Sequence, residues 1–366
     1  AVAITWATLP SHLYLRMNDL HPDMSRILAW AGYSGLGLFS YLFCLAAARD
    51  LLMLPGTIMR LAGKLFPSSR QAIENPGRRT ALFRASSAAI ALAGSPLTAF
   101  GAYTALRPPR VVRIPIELSK QKKKIKGLAG LKIVQFTDLH IGPTIGHRYV
   151  KEVCRIIREL DADLIVFTGD LVDGSPEQLS EPLAPLAEMT APLGKFFVTG
   201  NHEYYSGVER WIEKAQQLGF IPLLNEHRVL TYGSGKLTLA GVTDIRGGQF
   251  LSSHRSSPDK AIAGAPEDSW KLLLAHQPTS IYTAEKAGFD LQLSGHTHGG
   301  QYFPFEYFIY LEHPFIKGMY NYGKTGLYVN QGTGYWGPPV RLGTFAEITL
   351  FTLGRAQKIG TVSNDQ

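Results

Sequence analysis

Apolar residues follow two unlike patterns along this chain. In the first third they run almost without interruption: no charge breaks Ile27–Ala48 (ILAWAGYSGLGLFSYLFCLAAA) or Ala85–Leu106 (ASSAAIALAGSPLTAFGAYTAL). Each stretch holds about 22 residues, enough for a helix to cross a hydrocarbon core of about 30 Å. The pattern predicts a helical membrane region over 1–115 with spans near 27–48 and 85–106. Ser86, Ser87, Ser95, Pro96 and Thr98 dilute the second span. Such residues are tolerated in membrane helices whose neighbours satisfy the backbone. The competing reading is a buried hairpin of two core helices. The uncharged stretch 1–15 reads as the remnant of a further span, which leads us to expect a fragment or a processed form.

From Leu131 onward the apolar runs become short, and five of them end abruptly in polar residues. KIVQFT (132–137) leads into Asp138-Leu139-His140, LIVFT (164–168) into Gly169-Asp170, and KFFVT (195–199) into Gly200-Asn201-His202-Glu203. LLLA (272–275) leads into His276, and LQLS (291–294) into Gly295-His296-Thr297-His298. Near-continuous apolar runs too short for helices fit strands covered on both faces. Between them, Val150, Val153, Ile156, Ile157 and Leu160 recur at close to a helical period, which predicts a helix over 148–160. Alternating strands and helices predict an α/β class, in which ligands bind at the strands' carboxyl ends. Every polar motif above falls at such an end. The glycines before Asp170, Asn201 and His296 are expected to allow tight turns there. The organisation expected is thus an anchor over 1–115, a basic linker to about 130, a globular domain over 131–353 and a tail over 354–366.

Composition changes this picture little. The 45% hydrophobic content of the 366 residues averages two dissimilar halves. The net charge of +8 has a local source in Arg107, Arg110, Arg113, Lys120, Lys122, Lys123, Lys124 and Lys126. Such a run beside a membrane segment is drawn to anionic headgroups by about 1 kcal/mol per charge; a merely solvated linker is the alternative. It lacks interleaved aromatics or a recognisable nucleic-acid module, so no nucleic-acid partner is expected. Arg49, Arg60, Lys64, Arg70, Arg78, Arg79 and Arg84 make the loop between the spans equally basic, so charge does not fix the orientation. Cys44 and Cys154 fall one in each half and form neither a disulfide framework nor a CxxC site. His202-Glu203 begins like a zinc-protease HExxH, but Ser206 stands at the second histidine position and no helix is indicated. Gly233-Ser234-Gly235-Lys236 lacks the first glycine of a P-loop and is followed by Leu237.

Asp138-x-His140, Gly169-Asp170, Gly200-Asn201-His202-Glu203, His276 and Gly295-His296-Thr297-His298, in this order, resemble the calcineurin-like metallophosphoesterase family over roughly 131–353. The form GHTHGGQ (Gly295–Gln301) is similar to its membrane-anchored bacterial branch, which includes proteins related to the UDP-diacylglucosamine pyrophosphatases of lipid A synthesis and the transmembrane metallophosphoesterases. The resemblance implies a metallophosphoesterase-type β-sandwich flanked by helices, preceded by an α-helical transmembrane region. It implies two divalent metal ions, one held by Asp138, His140 and His298, the other by Asn201, His276 and His296, with Asp170 bridging. It further implies that His202 faces the substrate phosphate as general acid or charge-stabilising donor. Carboxylate, imidazole and amide ligands without thiolate independently suit Mn, Fe or Zn.

The activity so implied is hydrolysis of a phosphoester or pyrophosphate bond, with a substrate such as UDP-2,3-diacylglucosamine or another lipid-linked phosphate. The location implied is a bacterial cytoplasmic (inner) membrane, in contact with its lipids. The other class is a non-catalytic, membrane-tethered metal-binding module, which should have lost ligands that are all present here. His147, His227, His254 and His313 are expected to be structural or solvent-facing. Tyr204, Tyr205 and Gly332–Pro339 fit a substrate rim and a packed loop equally well.

Overall fold

A computed structural model describes residues 2–18, 20–65, 76–116 and 126–354. The chain divides into two units, one formed by residues 1–106 with 337–340 and the other by the rest.

The first unit is helical: α1 (Val2–Met17), α2 (Pro22–Leu65) and α3 (Pro76–Leu106). Both long helices open on proline, whose missing N–H costs nothing at a helix start. Pro22–Leu54 and Thr80–Leu106 are each long and apolar enough to cross a membrane, and they contain both predicted spans. Only 17% of each apolar window is buried. These are not the covered helices of a globular core, so the buried-hairpin alternative fails.

The second unit holds two six-stranded sheets. Its strands are β1 (Arg110–Ile116), β2 (Lys132–Phe136), β3 (Leu164–Phe167), β4 (Lys195–Phe197), β5 (Ile221–Pro222), β6 (Glu226–Tyr232), β7 (Gly235–Gly241), β8 (Trp270–Leu274), β9 (Leu291–Ser294), β10 (Gly318–Tyr322), β11 (Thr325–Val329) and β12 (Glu347–Leu353). One sheet runs β1-β12-β2-β3-β4-β5 and the other β10-β11-β9-β8-β7-β6. Helices α4 (His147–Glu159), α5 (Pro176–Leu183), α6 (Asn201–Tyr205), α7 (Val208–Gln217), α8 (Pro258–Ile262), α9 (Ile281–Ala287) and α10 (Glu306–Glu312) lie in the connections. The architecture is the expected α/β sandwich.

Successive side chains of a strand point to opposite faces, and both faces here are apolar. Ile133, Leu164, Val166 and Phe196 of the first sheet meet Leu239, Leu272, Leu274 and Leu293 of the second in one core. On the far side of the second sheet, Ala240, Leu273 and Ala275 pack with Ala261 of α8, Ala284 of α9 and Phe289. This double coverage is the physical cause of the unbroken apolar runs. Strands β2, β3 and β4 are mutually parallel, as are β8 and β9. Buried Gln135 of β2 ties the sheets together near those ends, donating to Thr168 Oγ1 (2.9 Å) and to the Ser294 carbonyl (3.0 Å).

One expected boundary moves. The anchor was expected to reach 115 and the domain to begin at 131, yet Arg110–Ile116 form β1, parallel to β12 in full register. The arginines disguise this strand as linker. At a sheet edge their side chains have solvent to face, and Pro115 is tolerated there. A second difference is the single helical turn α6, which the sequence did not indicate. The lysines at 120 and 122–124 and the tail beyond 354 lie outside the described residues.

Candidate metal centre

The five strand ends converge on one cluster. Asp138 and His140 follow β2, Asp170 follows β3, Asn201 and His202 open α6 after β4, His276 follows β8, and His296 and His298 follow β9. The sequence separates them by up to 160 residues, and the sandwich brings them within a few ångströms. His140 Nε2 lies 3.0 Å from His298 Nε2, which is 3.6 Å from Asp138 Oδ1. Asp170 Oδ2 lies 3.1 Å from His276 Nε2, 3.8 Å from His140 Nε2 and 4.0 Å from His202 Nε2. His276 Nε2 is in turn 3.1 Å from His296 Nδ1. Asp138–His140–His298 and Asp170–His276–His296 each bring three donor atoms within 4.8 Å of one another, and His140–Asp170–His202 does the same across them. Asp170 stands between the two groups.

The backbone is held in an uncommon conformation to achieve this. Asp138, His140, Asp170, His296 and His298 all have φ between 48° and 73°. Asp and His enter this left-handed region more readily than most residues, but each instance still costs about 1–3 kcal/mol and persists only where the surroundings enforce it. The glycines contribute in two ways. Gly169 (φ 94°) makes the turn expected of it. At Gly200 and Gly295 what matters is room: an added Cβ would overlap the Asp170 and Asp138 carboxylates respectively.

The donor set fits divalent cations. The buried amide oxygen of Asn201 has no hydrogen-bond partner, a costly arrangement unless a ligand completes it. Burial, reinforced by neighbouring imidazoles, pushes His296 and His298 well below the ordinary histidine range, which favours neutral rings. Burial opposes ionisation of Asp170, but His276 and His202 hold its carboxyl well below the usual range. Neutral imidazoles and ionised carboxylates are the forms that bind metal; His276, held charged against burial by Asp170, and Asp138, whose carboxyl burial pushes up, therefore release protons as a cation enters. His276 Nδ1 also faces the Thr168 carbonyl at 2.8 Å, an outer contact that fixes which ring nitrogen points inward.

Calcineurin-like phosphoesterase is the family description that matches this chain, over residues 131–300. The chain is 32% identical over 363 residues to a Danio rerio "Transmembrane protein with metallophosphoesterase domain", covering 97% of this chain and 80% of that protein. A Bos taurus protein of the same name is 38% identical over 271 residues, 71% of this chain and 60% of its own length. An uncharacterized metallophosphoesterase of Campylobacter jejuni is 34% identical over 253 residues, 68% of this chain and 64% of its own length. This chain belongs to the calcineurin-like phosphoesterases. It is a metal-dependent hydrolase of phosphoester bonds, and its Asp and His clusters are where divalent ions can be held.

The phosphoesterase site contains residues that sequence reasoning passed over. Asp173 is the foremost: Oδ1 accepts from His202 Nδ1 at 2.5 Å, and Oδ2 lies 3.3 Å from His140 Nδ1. Burial alone would lower the pKa of His202, but the Asp170 charge and the Asp173 bond raise it to about 9. An acidic residue three positions after Asp170 was the only sequence signal. Asp173→Asn is expected to lower kcat by about 10–100-fold, a typical cost of losing an outer-shell partner. KM should hold steady, and elemental analysis beside the steady-state kinetics separates the His202 effect from weaker metal binding through the His140 contact; an unchanged kcat would remove Asp173 from the machinery.

Glu203 is fully buried and accepts three backbone N–H groups, those of Asp170 (3.0 Å), Leu171 (2.7 Å) and Gly200 (2.7 Å). It clamps two strand ends together. Burial and the nearby Asp170 raise its carboxyl to about 7. Arg341, buried throughout, donates to the carbonyls of His298, Gln331, Gly332 and Gly334 and so organises the loop behind His298.

The aromatic residues divide. Tyr204 is buried, its hydroxyl 2.9 Å from His254 Nδ1, whereas Tyr205 (55% exposed) and Trp336 (54%) flank His202 with ring centroids 5.3 and 5.8 Å away. Gln301 holds Trp336 through both its backbone groups, at 2.9 Å each. Of the four other histidines, His147 meets Glu181 at the surface and His227 Nδ1 faces the Ala261 carbonyl. His313 differs: it is buried with its ring 4.9 Å from that of His296.

Proposed function

We propose that this protein is a membrane-anchored phosphoesterase whose two-cation site hydrolyses a phosphodiester or pyrophosphate bond in a lipid-linked substrate such as UDP-2,3-diacylglucosamine. The observation that carries the hydrolytic reading is the convergence of six carboxylate and imidazole donors with His202 against them and the orphaned amide oxygen of Asn201 next to it in the chain. Asp138, His140 and His298 would hold one ion, Asn201, His276 and His296 the other, and Asp170 would serve both. Mn, Fe or Zn suits these ligands better than Mg, which favours all-oxygen sites. When bound, such ions lower the pKa of water and neutralise the phosphoryl oxygens.

The remaining chemistry belongs to the chain. His202, fixed by Asp173, presents its proton to a phosphoryl or leaving-group oxygen. Tyr205 and Trp336 flank the entrance and narrow the approach. The two long apolar helices and the relatives named as transmembrane proteins support a membrane location. In a bacterial chain that would be the inner membrane.

The test is hydrolysis of UDP-2,3-diacylglucosamine against a simple aryl phosphodiester by the purified, Mn-loaded full chain, with and without chelator. Chelator-sensitive cleavage of the lipid at far higher efficiency is the expected result. Cleavage of the aryl ester alone would overturn the lipid assignment, and failure on both with two metals bound would favour a binding module.

A further inference from the structure

The surface of the catalytic unit carries one concentrated apolar feature. Phe303, Tyr307, Phe308, Tyr310 and Leu311 are all exposed, Leu311 by 85%, and helix α10, which contains four of them, buries no residue at all. Five of the fourteen exposed large hydrophobic residues described in this unit thus fall within nine consecutive positions. A soluble protein rarely leaves such a patch uncovered without a use for it. The two acids that bound the helix are compensated: Glu306 lies 3.7 Å from Lys317 and Glu312 3.2 Å from Arg246. The patch therefore shows aromatic and aliphatic surface with little net charge, the composition found at the level of lipid headgroups.

Connectivity says which surface is within its reach. Only Arg107, Pro108 and Pro109 separate α3 from β1, so the first strand starts at most about 15 Å of extended chain beyond the second apolar helix. The strand's start is fixed within the catalytic unit. Arg110 N donates to the Ala346 carbonyl (2.8 Å), and its guanidinium lies over the Phe345 ring. The same segment, 342–346, pairs with the residues that lead into α10: Phe303 N donates to the Leu342 carbonyl (2.9 Å), and Tyr302 bridges to Leu342. It also enters β12 at Glu347, opposite the carboxyl end of β2, from which Asp138 and His140 extend. The tether, the aromatic helix and the metal-binding strand ends therefore share one end of the domain.

We propose that α10 and Phe303 form a membrane-docking surface that seats in the interfacial layer of the bilayer and turns the mouth of the metal site toward the lipid. This rests on the chain being anchored in a membrane, not on the substrate being a lipid. The bilayer is favoured over a second protein because the short tether keeps it within reach of every copy. Arg107 and Arg110 at the junction add attraction to anionic headgroups.

The test uses the full chain in phosphatidylethanolamine–phosphatidylglycerol vesicles, in a Cys44→Ser, Cys154→Ala background, with a spin label at Leu311→Cys or Phe308→Cys. Val229→Cys, exposed on β6, is the reference. At 308 and 311 collision with oxygen is expected to exceed collision with a water-soluble nickel chelate several-fold, with the opposite order at 229. Free access of the chelate to both positions would overturn the proposal. So would poor access of both reagents, which would mark a contact with a second copy or another protein. The labelled proteins must still hydrolyse the aryl diester in detergent, which shows that they are folded; should either lose it, Leu311→Trp with brominated lipids as quenchers asks the same question with a milder change. If the labels lie in lipid but UDP-2,3-diacylglucosamine is not cleaved, docking stands and the substrate reading alone falls.

Discussion

Asp170→Asn is expected to reduce kcat by on the order of 10³-fold or more and to lower the metal content from two ions per chain. The carboxylate lies within 4.0 Å of imidazoles from three different strand ends. It contacts imidazoles of both donor groups, His140 of one and His276 of the other. The fold should survive. Asn retains the oxygen that accepts from the His202 backbone N–H (2.9 Å), and Glu203 holds the Asp170 backbone independently. Elemental analysis and circular dichroism on the same sample separate lost metal from lost structure. A variant with two bound ions and undiminished turnover would dismiss the bridging role.

His202→Ala is expected to behave differently. It should cost about 10²–10⁴-fold in kcat, the usual range for a general acid, while both ions remain and KM changes little. The ring shares one donor group with His140 and Asp170, but it is held at Nδ1 by Asp173 and its Nε2 is 4.0 Å from Asp170. The other two donor groups do not include it, so metal content after its removal decides between a ligand and a substrate-facing role. Loss of metal in this variant would instead make His202 a ligand, and a kcat within a few-fold of the parent would leave it without a chemical role.

The contrast between these two variants depends on relationships that the linear chain only half reveals. The sequence determined the donor chemistry at each strand end. Carboxylate, amide and imidazole are properties of single residues, and the apolar run before each marks a strand by local periodicity. It likewise determined the two long apolar helices, because length and lack of charge are read directly along the chain. It misjudged β1, whose arginines conceal an edge strand, and it overlooked Asp173, which an ordinary turn would also accommodate.

The tertiary structure alone decided that β2, β3 and β4 belong to one sheet and β8 and β9 to the other. It alone decided that Glu203 clamps two strand ends, that Tyr204 is buried while Tyr205 is exposed, and that α10 stands uncovered beside the site. Each of these depends on which distant segments pack together. Periodicity records whether a face is buried, but not against what, and the convergence of the metal donors follows from the way two sheets close over one apolar core.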